Sequence, residues 1–341
     1  MDFKLSREAF LKVLNHVSSI VDTRSTIPIL SNIYIKCENN KIEIRSTDMD
    51  ISIKEFVSVD STKNGEATVN SRILTDIIKK TKKNSIVKLK TDDSRLIINS
   101  DNSVFELNAL SADDFPKFTP LDQSISFNLS VEEIKRIFNK TKFAISSEET
   151  RYYLNGIYLH TVISGDKNIL KAVATDGHRL AKTETIIKSQ SSIPGIILPR
   201  KFILQLDKIL GDFEGDIKIV CTDTQVSFET ENFIIISKLI DGTFPDYEKV
   251  IPLINDKLLE IESELFFNAV DRVSTVNQDK TPTVKLAFDS NSVKIMATST
   301  DSNKGDEEVL ANYSSSALEI LFNSRYILDL RDIIESPNLK L

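Results

Sequence analysis

Apolar and polar positions along this chain follow two periods, and the change from one to the other recurs. The segments "FKLSREAFLKVLNHVSSIV" from Phe3, "FNLSVEEIKRIFNKTKFAI" from Phe127 and "LEIESELFFNAVDRVSTV" from Leu259 each open with a short alternating strand. Each then passes into helical spacing. The helical apolar positions are Phe10, Val13, Leu14, Val17 and Val21 in the first, and Ile134, Ile137, Phe138 and Thr141 in the second. In the third they are Leu265, Ala269, Val273 and Val276. Ser6, Ser130 and Ser263 stand where an N-cap hydroxyl would accept a first-turn N–H, and Glu133 adds a capping box to Ser130.

A second helical unit also recurs, as "VNSRILTDIIKK" from Val69, "LPRKFILQLDKIL" from Leu198 and "FNSRYILDLRDII" from Phe322. Alternating strands follow the first two copies, and both of those runs close on similar phrases, "SADDFPKFTPL" and "IDGTFPDYEKVIPL". A third echo joins "IRSTDMDI", "AVATDGHRL" and "IMATSTDS". Three motif types in one order predict three copies of a strand–helix–strands–helix–strands module. The architecture is therefore α+β, with antiparallel sheets and few helices. Links near Pro120–Ser124 and Pro252–Lys257 divide the chain into modules 1–122, 123–254 and 255–341. The third copy is the shortest. Its second helix is expected to end near Ser336, and strands that would complete the module are expected to be missing after it.

Composition narrows the chemistry. Two cysteines, Cys37 and Cys221, and only three His form neither a disulfide framework nor a zinc pattern, which suits a reducing cytoplasm. No apolar run reaches the roughly 18 residues of a membrane span, and "MDFKLSREAF" has no leader-like pattern. The formal net charge of −7 argues by itself against a phosphate-bearing partner. Its distribution argues the other way. Arg72, Lys79, Lys80, Lys82 and Lys83, then Lys135, Arg136, Lys140 and Lys142, then Arg200, Lys201 and Lys208 gather on the predicted helices, opposite the apolar stripes. The acids gather in strands and turns, and the four cations of the 134–143 stretch are expected to face no acid. Helices facing one channel would grip a polyanion without reading bases. Independent solvated helix faces would give the same local pattern.

"PIL" at 28–30, "DFP" at 114–116, "RYYLNG" at 151–156, "ATDGHRLA" at 174–181, "PRK" at 199–201 and "DGTFPDY" at 241–247 then stand in order along the chain. In these motifs and in the module plan the chain resembles the bacterial sliding-clamp family, the beta subunits of DNA polymerase III. The resemblance implies three clamp modules with sheets outside and two helices each inside. Two protomers would join head to tail as a homodimeric ring around double-stranded DNA, held without sequence preference. It implies a seam of Phe105 and Leu107 against Thr275 and Val276, and DNA contacts from Arg24, Arg72, Tyr152, Tyr153 and Lys201. It implies a pocket between the second and third domains, made by Arg151, Leu154, Thr175, Gly177, His178, Arg179, Leu180, Pro245, Lys249 and Val250. There the DNA polymerase III catalytic subunit, the clamp loader, other polymerases and repair proteins would insert short linear peptides. No cofactor, metal or catalytic residue is implied.

Two other readings stand at this point. One is a modular scaffold that binds only proteins. The other is a phosphoesterase or hydrolase using Asp176 and His178, which lie two apart and would share a strand face. No nucleophile elbow, Walker glycines or metal spacing accompanies that pair, and "TDMD" at 47–50 would hold a magnesium ion only weakly.

Overall fold

In a computed structural model of the chain, described for residues 1–22, 26–121, 125–188, 192–277 and 279–341, the helical predictions fall where the period changes. The helices are α1 (Arg7–Ser18), α2 (Ser71–Lys80), α3 (Val131–Thr141), α4 (Arg200–Leu210), α5 (Ser263–Ser274) and α6 (Ser324–Leu328). Two compact units contain them, Met1–Phe244 and Pro245–Leu341.

Local chemistry sets the helix starts. Ser6 Oγ accepts the Ala9 N–H at 3.2 Å, and Ser130 Oγ accepts that of Glu133 at 3.1 Å. The other half of the capping box does not form as expected, because the Glu133 carboxylate takes the Arg136 guanidinium at 2.7 and 3.0 Å. Ser263 is not a cap. Helix α5 starts one residue earlier in the repeat, with Glu262 at the cap position, and Ser263 Oγ donates to Ser336 O at 2.6 Å. That offset turns the apolar face by one residue. Leu265, expected inside, is 47% exposed, and Phe266 and Phe267 fill the interior. Helix α6 is also shorter than expected. After Leu328 the chain continues through turns to Ile334 and ends in a strand, Asn338–Lys340.

One pairing scheme serves all three modules. The opening strand pairs with the first strand after the second helix: Ser6 opposite Ile86, Ser130 opposite Asp216, Glu262 opposite Asn338. The central strands form an antiparallel set of four. In the first module these are Asn32–Glu38, Lys41–Thr47, Ile51–Ser58 and Gly65–Asn70. In the second they are Gly156–Ser164, Lys167–Thr175, Leu180–Ile187 and Ile196–Pro199. In the third they are Thr283–Asp289, Ser292–Thr298, Lys304–Leu310 and Leu318–Asn323. Strand Phe233–Lys238 of the second module pairs with Ile51–Ser58 of the first, Phe233 opposite Glu55, and so joins strands of both modules in one thirteen-stranded sheet, while the second module's central four form a sheet of their own. Phe10 and Leu14 of α1, Ile137 and Phe138 of α3, and Phe202 and Leu206 of α4 share one buried core. Phe266, Val270 and Val273 of α5 anchor the core of the second unit.

The similar Phe-Pro phrases share a packing role. Phe115 packs on Tyr34 with ring centres 5.7 Å apart, and Phe244 stacks on Tyr158 at 4.8 Å with an interplanar angle of 2°. Tyr34 and Tyr158 hold the same place in their modules, two residues beyond Asn32 and Gly156, which pair with the residues capping α2 and α4.

The first two modules also meet at a buried histidine. His16 on α1 has its Nδ1 3.1 Å from Glu55 and its Nε2 2.9 Å from Asp212, beyond α4. Phe213 packs on its ring, and Lys12 Nζ donates to the Asp212 carbonyl at 3.0 Å. Burial alone would lower the His16 pKa, but the two carboxylates outweigh it and leave the group above its ordinary value. A raised folded-state pKa stabilises fully below the unfolded value of about 6.5, and that stability is lost as pH rises through the folded value. His16→Ala is expected to lower stability at pH 6 by roughly 3 kcal/mol, since Glu55 stays buried without its partner. The deficit should shrink above neutrality. Urea midpoints at pH 6 and pH 8.5 measure it, and an equal deficit at both would rule out a protonated His16.

Candidate peptide-binding turn and cationic face

The turn at Thr175–Arg179 is held by its own side chains. Asp176 Oδ1 accepts the N–H groups of His178 at 2.9 Å and Arg179 at 3.0 Å, and Oδ2 accepts Arg179 Nε at 3.1 Å. Thr175 Oγ1 donates to the Arg179 carbonyl at 2.6 Å and accepts the Gly177 N–H at 3.1 Å. Asp176 is thus committed to folding the turn, which removes it as a base for His178.

The same turn occurs in the first module. Asp48 Oδ1 accepts from Asp50 and Ile51, and Thr47 Oγ1 donates to the Ile51 carbonyl at 2.9 Å. Met49 takes the left-handed backbone, φ 76°, that Gly177 takes at 87°. "TDMD" and "ATDGHR" are therefore one structural device. Among the described residues no cluster of three or more His, Cys, Asp or Glu is placed to hold a metal.

Glycine at 177 has a further reason. A Cβ built there would stand 2.7 Å from Arg151 Nη1, so Arg151 lies directly over the turn. Arg151 also pairs with Glu148 at 3.2 Å. Arg179 crosses to Phe143, donating to its carbonyl at 2.6 Å with the guanidinium 5.2 Å from the ring centre. Leu154 is buried and Leu180 half-buried, while Gly177 and His178 are exposed. Tyr152 and Tyr153 meet edge to face at 5.9 Å beside Gly242, and Tyr152 is 54% exposed. The remaining three candidates belong to the second unit. There Pro245 is exposed, Lys249 pairs with Asp246 at 2.9 Å, and Val250 is 70% exposed.

Several of the helix cations have acidic partners, some on the same helix and some distant in the chain. Lys142 binds Asp207 at 2.6 Å, Arg136 binds Glu133, and Lys201 forms an ion pair with Asp48. These pairings correct the expectation that the 134–143 stretch meets no acid. Arg72, Lys79, Lys80, Lys82 and Lys83, on and just after α2, are exposed. Arg24 lies outside the described residues. A cleft of about 430 Å³ beside α2 is lined by Ile73, Ile77, Lys80, Lys82 and Phe105. Leu107 is half-buried on the same strand as Phe105. In the second unit Thr275 is exposed, and Val276 lies against Gly305, whose Cβ would meet Val276 Cγ1 at 3.4 Å. The periodic pattern did not reveal the Arg272–Glu307 ion pair, at 2.5 Å between α5 and strand Lys304–Leu310.

Three family models match in succession: "DNA polymerase III beta subunit, N-terminal domain" over residues 1–119, its central domain over 128–246 and its C-terminal domain over 248–341. The chain belongs to the bacterial DNA polymerase III beta subunit family. A beta sliding clamp of Caulobacter vibrioides is 39% identical, across 99% of this chain and 91% of that one. The beta sliding clamp of Escherichia coli K12 is 30% identical, across 100% and 92%. Among solved structures, the sliding clamp of Bartonella birtlesii bound to griselimycin superimposes with a TM-score of 0.95 at 40% identity, covering 100% of this chain and 92% of that one. The Pseudomonas aeruginosa clamp bound to the same compound gives 0.94 at 34% identity, with 100% and 92% covered. No helix among the described residues of this beta-subunit family member is long and apolar enough to cross a membrane.

Proposed function

We propose that the chain is a DNA sliding clamp: a non-catalytic, cytoplasmic accessory subunit that encircles duplex DNA as a head-to-tail dimer and tethers the replicative polymerase. One observation carries this reading, the match of the whole chain to the three successive domains of the beta subunit. The modules are taken as 1–122, 123–254 and 255–341. Sequence-blind phosphate contacts from Arg24, Arg72 and Lys201, with Tyr152 and Tyr153 against sugars or bases, let a protein move along its track. Retention then comes from closure, so that release waits on opening of the seam rather than on leaving the phosphates.

Partner proteins take the second role. Arg151, Leu154, Thr175, Gly177, His178, Arg179 and Leu180 of the first unit, with Pro245, Lys249 and Val250 of the second, bind short linear peptides of the polymerase, the clamp loader and repair proteins. The self-held turn supports this. A preformed backbone with apolar Leu154 and Leu180 beside polar Arg151 and His178 offers an anchor site at low ordering cost. Support for the seam comes from the cleft beside Phe105 and from half-exposed Leu107 and Val276.

The test is topological. The chain, its clamp loader and ATP are incubated with a nicked circular plasmid and then gel-filtered. Co-elution with the circle should vanish when the plasmid is cut once. Co-elution that survives linearisation would mean ordinary binding and end the clamp reading.

A further inference from the structure

The turn that the modules share carries a buried acid in two of its copies, and the two copies balance that charge differently. In the second module Asp176 Oδ1 holds two backbone N–H groups, and Oδ2 takes Arg179 Nε at 3.1 Å, so the cation comes from the turn itself. In the first module Asp48 Oδ1 holds the N–H groups of Asp50 and Ile51 in the same manner. The residue whose carbonyl accepts the threonine hydroxyl is Arg179 in one turn and Ile51 in the other. Ile51 is buried and apolar, so the first turn has no cation at that place. Asp48 Oδ2 instead accepts from Lys201, in the first turn of α4 and 153 residues along the chain. The third copy needs neither solution. Ser299 stands at the acid's place, and its Oγ accepts the Asn303 N–H at 3.1 Å.

The two members of the Asp48–Lys201 pair differ in exposure. The Asp48 side chain is 5% exposed and that of Lys201 is 55% exposed. A carboxylate so deep stays charged only with a cation beside it, because water does not reach it. Lys201 therefore cannot swing away to an arriving phosphate without stranding Asp48. It can offer only the N–H donors on the outer side of its ammonium. Those donors belong to a pair of zero net charge. Such a pair attracts phosphate weakly and displaces few counterions when it meets one. The same turn sends a second acid to the second module, with Asp50 pairing with Lys238 at 3.1 Å, so the pair is also held in place by the junction around it.

Resting on the reading that Lys201 meets DNA, we propose that Asp48 is a positioning residue that tempers the grip on the phosphate backbone. It fixes the Lys201 ammonium at the start of α4 and cancels most of its charge, so this contact guides the track without holding it. Retention by closure needs no strong phosphate contact, and weak ones let the protein move. Arg72, exposed on α2, is the comparison: it presents its whole charge.

Anisotropy of a short fluorescent duplex, titrated with the intact chain between about 50 and 200 mM salt, reads the grip. Asp48→Asn keeps an oxygen for the Asp50 and Ile51 N–H groups and sets an N–H donor toward Lys201. Asp48→Ser copies the third module and serves if the first variant melts early. Either should raise affinity roughly three- to tenfold near 100 mM salt and steepen the slope of log affinity against log salt by up to about 0.9, the value of one full phosphate contact. Asp50→Asn removes an equal charge two residues away and should leave the slope unchanged. Adding Lys201→Gln to Asp48→Asn should return both readings to the wild-type values, whereas Arg72→Ala should lower the slope by about 0.9. A merely structural Asp48 would shift the thermal midpoint and leave the slope alone. Wild-type binding that depends on salt but ignores Asp48, responds equally to Asp50, or keeps its gain without Lys201 overturns the proposal alone. A wild-type chain that shows no salt-dependent binding of the duplex defeats the DNA reading and the proposal with it.

Discussion

Phe105→Asp is expected to convert the dimer to a monomer at micromolar concentration while leaving the first unit folded. The side chain is half-buried on strand Ser103–Leu110, which meets Gly65–Asn70 only at Ala109 and Leu110, and it forms one wall of the cleft beside α2. Completing that burial across a seam is worth about 1.5–3 kcal/mol for an aromatic side chain. A carboxylate there forfeits that gain and adds several kcal/mol of desolvation. The sum corresponds to roughly a thousandfold or more in the dimer constant, at 1.4 kcal/mol per decade. Circular dichroism should remain native because only the edge face is changed. Sedimentation equilibrium reads the mass, and a variant that still sediments as a dimer would place the seam elsewhere. The same variant should fail to stay on nicked circular DNA, since an open seam gives no closure.

Much of the architecture was legible because the modules repeat. Periodicity located the six helices of the described residues, since each presents one apolar stripe to a sheet, and Ser6 and Ser130 were readable as caps from local chemistry alone. Ser263 was not, because a one-residue difference in where α5 begins has no signature except the Phe266–Phe267 pair inside it. The turn at 175–179 was visible as a motif, but its use was not. Only hydrogen-bond geometry shows that Asp176 holds backbone N–H groups, as Asp48 does in the first module. Charge was the least legible property. Lys142 and Asp207 are 65 residues apart, Lys201 and Asp48 are 153 apart, and His16 and Asp212 are 196 apart. Composition along a helix cannot reveal such partners. The cations read as one continuous face therefore divide into paired ones that tie modules together, such as Lys201, and the exposed group after Arg72 on α2. The open edges were hidden for a related reason. An edge strand has the same alternation as an internal one, and only the ladder shows which side lacks a partner.

Val250→Asp should separate the two roles of the protein. Val250 is 70% exposed and sits in a short helical turn, Tyr247–Val250, whose buried member is Tyr247. Its side chain contributes little to folding, so the variant should match the parent in thermal midpoint, dimer constant and retention on circular DNA. Peptide binding should suffer instead. An anchor side chain entering an apolar site loses about 1.5–3 kcal/mol if that wall becomes a carboxylate, or roughly ten- to a hundredfold in affinity. Lys249, already paired with Asp246, would not neutralise the added charge fully. Griselimycin, bound by the Bartonella birtlesii and Pseudomonas aeruginosa clamps, is a convenient probe beside a linear polymerase-derived peptide. Titration of both by calorimetry should show the same loss if one site serves them. Unchanged affinity for both would remove Val250 from the site. Loss of circular-DNA retention together with peptide affinity would instead mean that the substitution damages the fold.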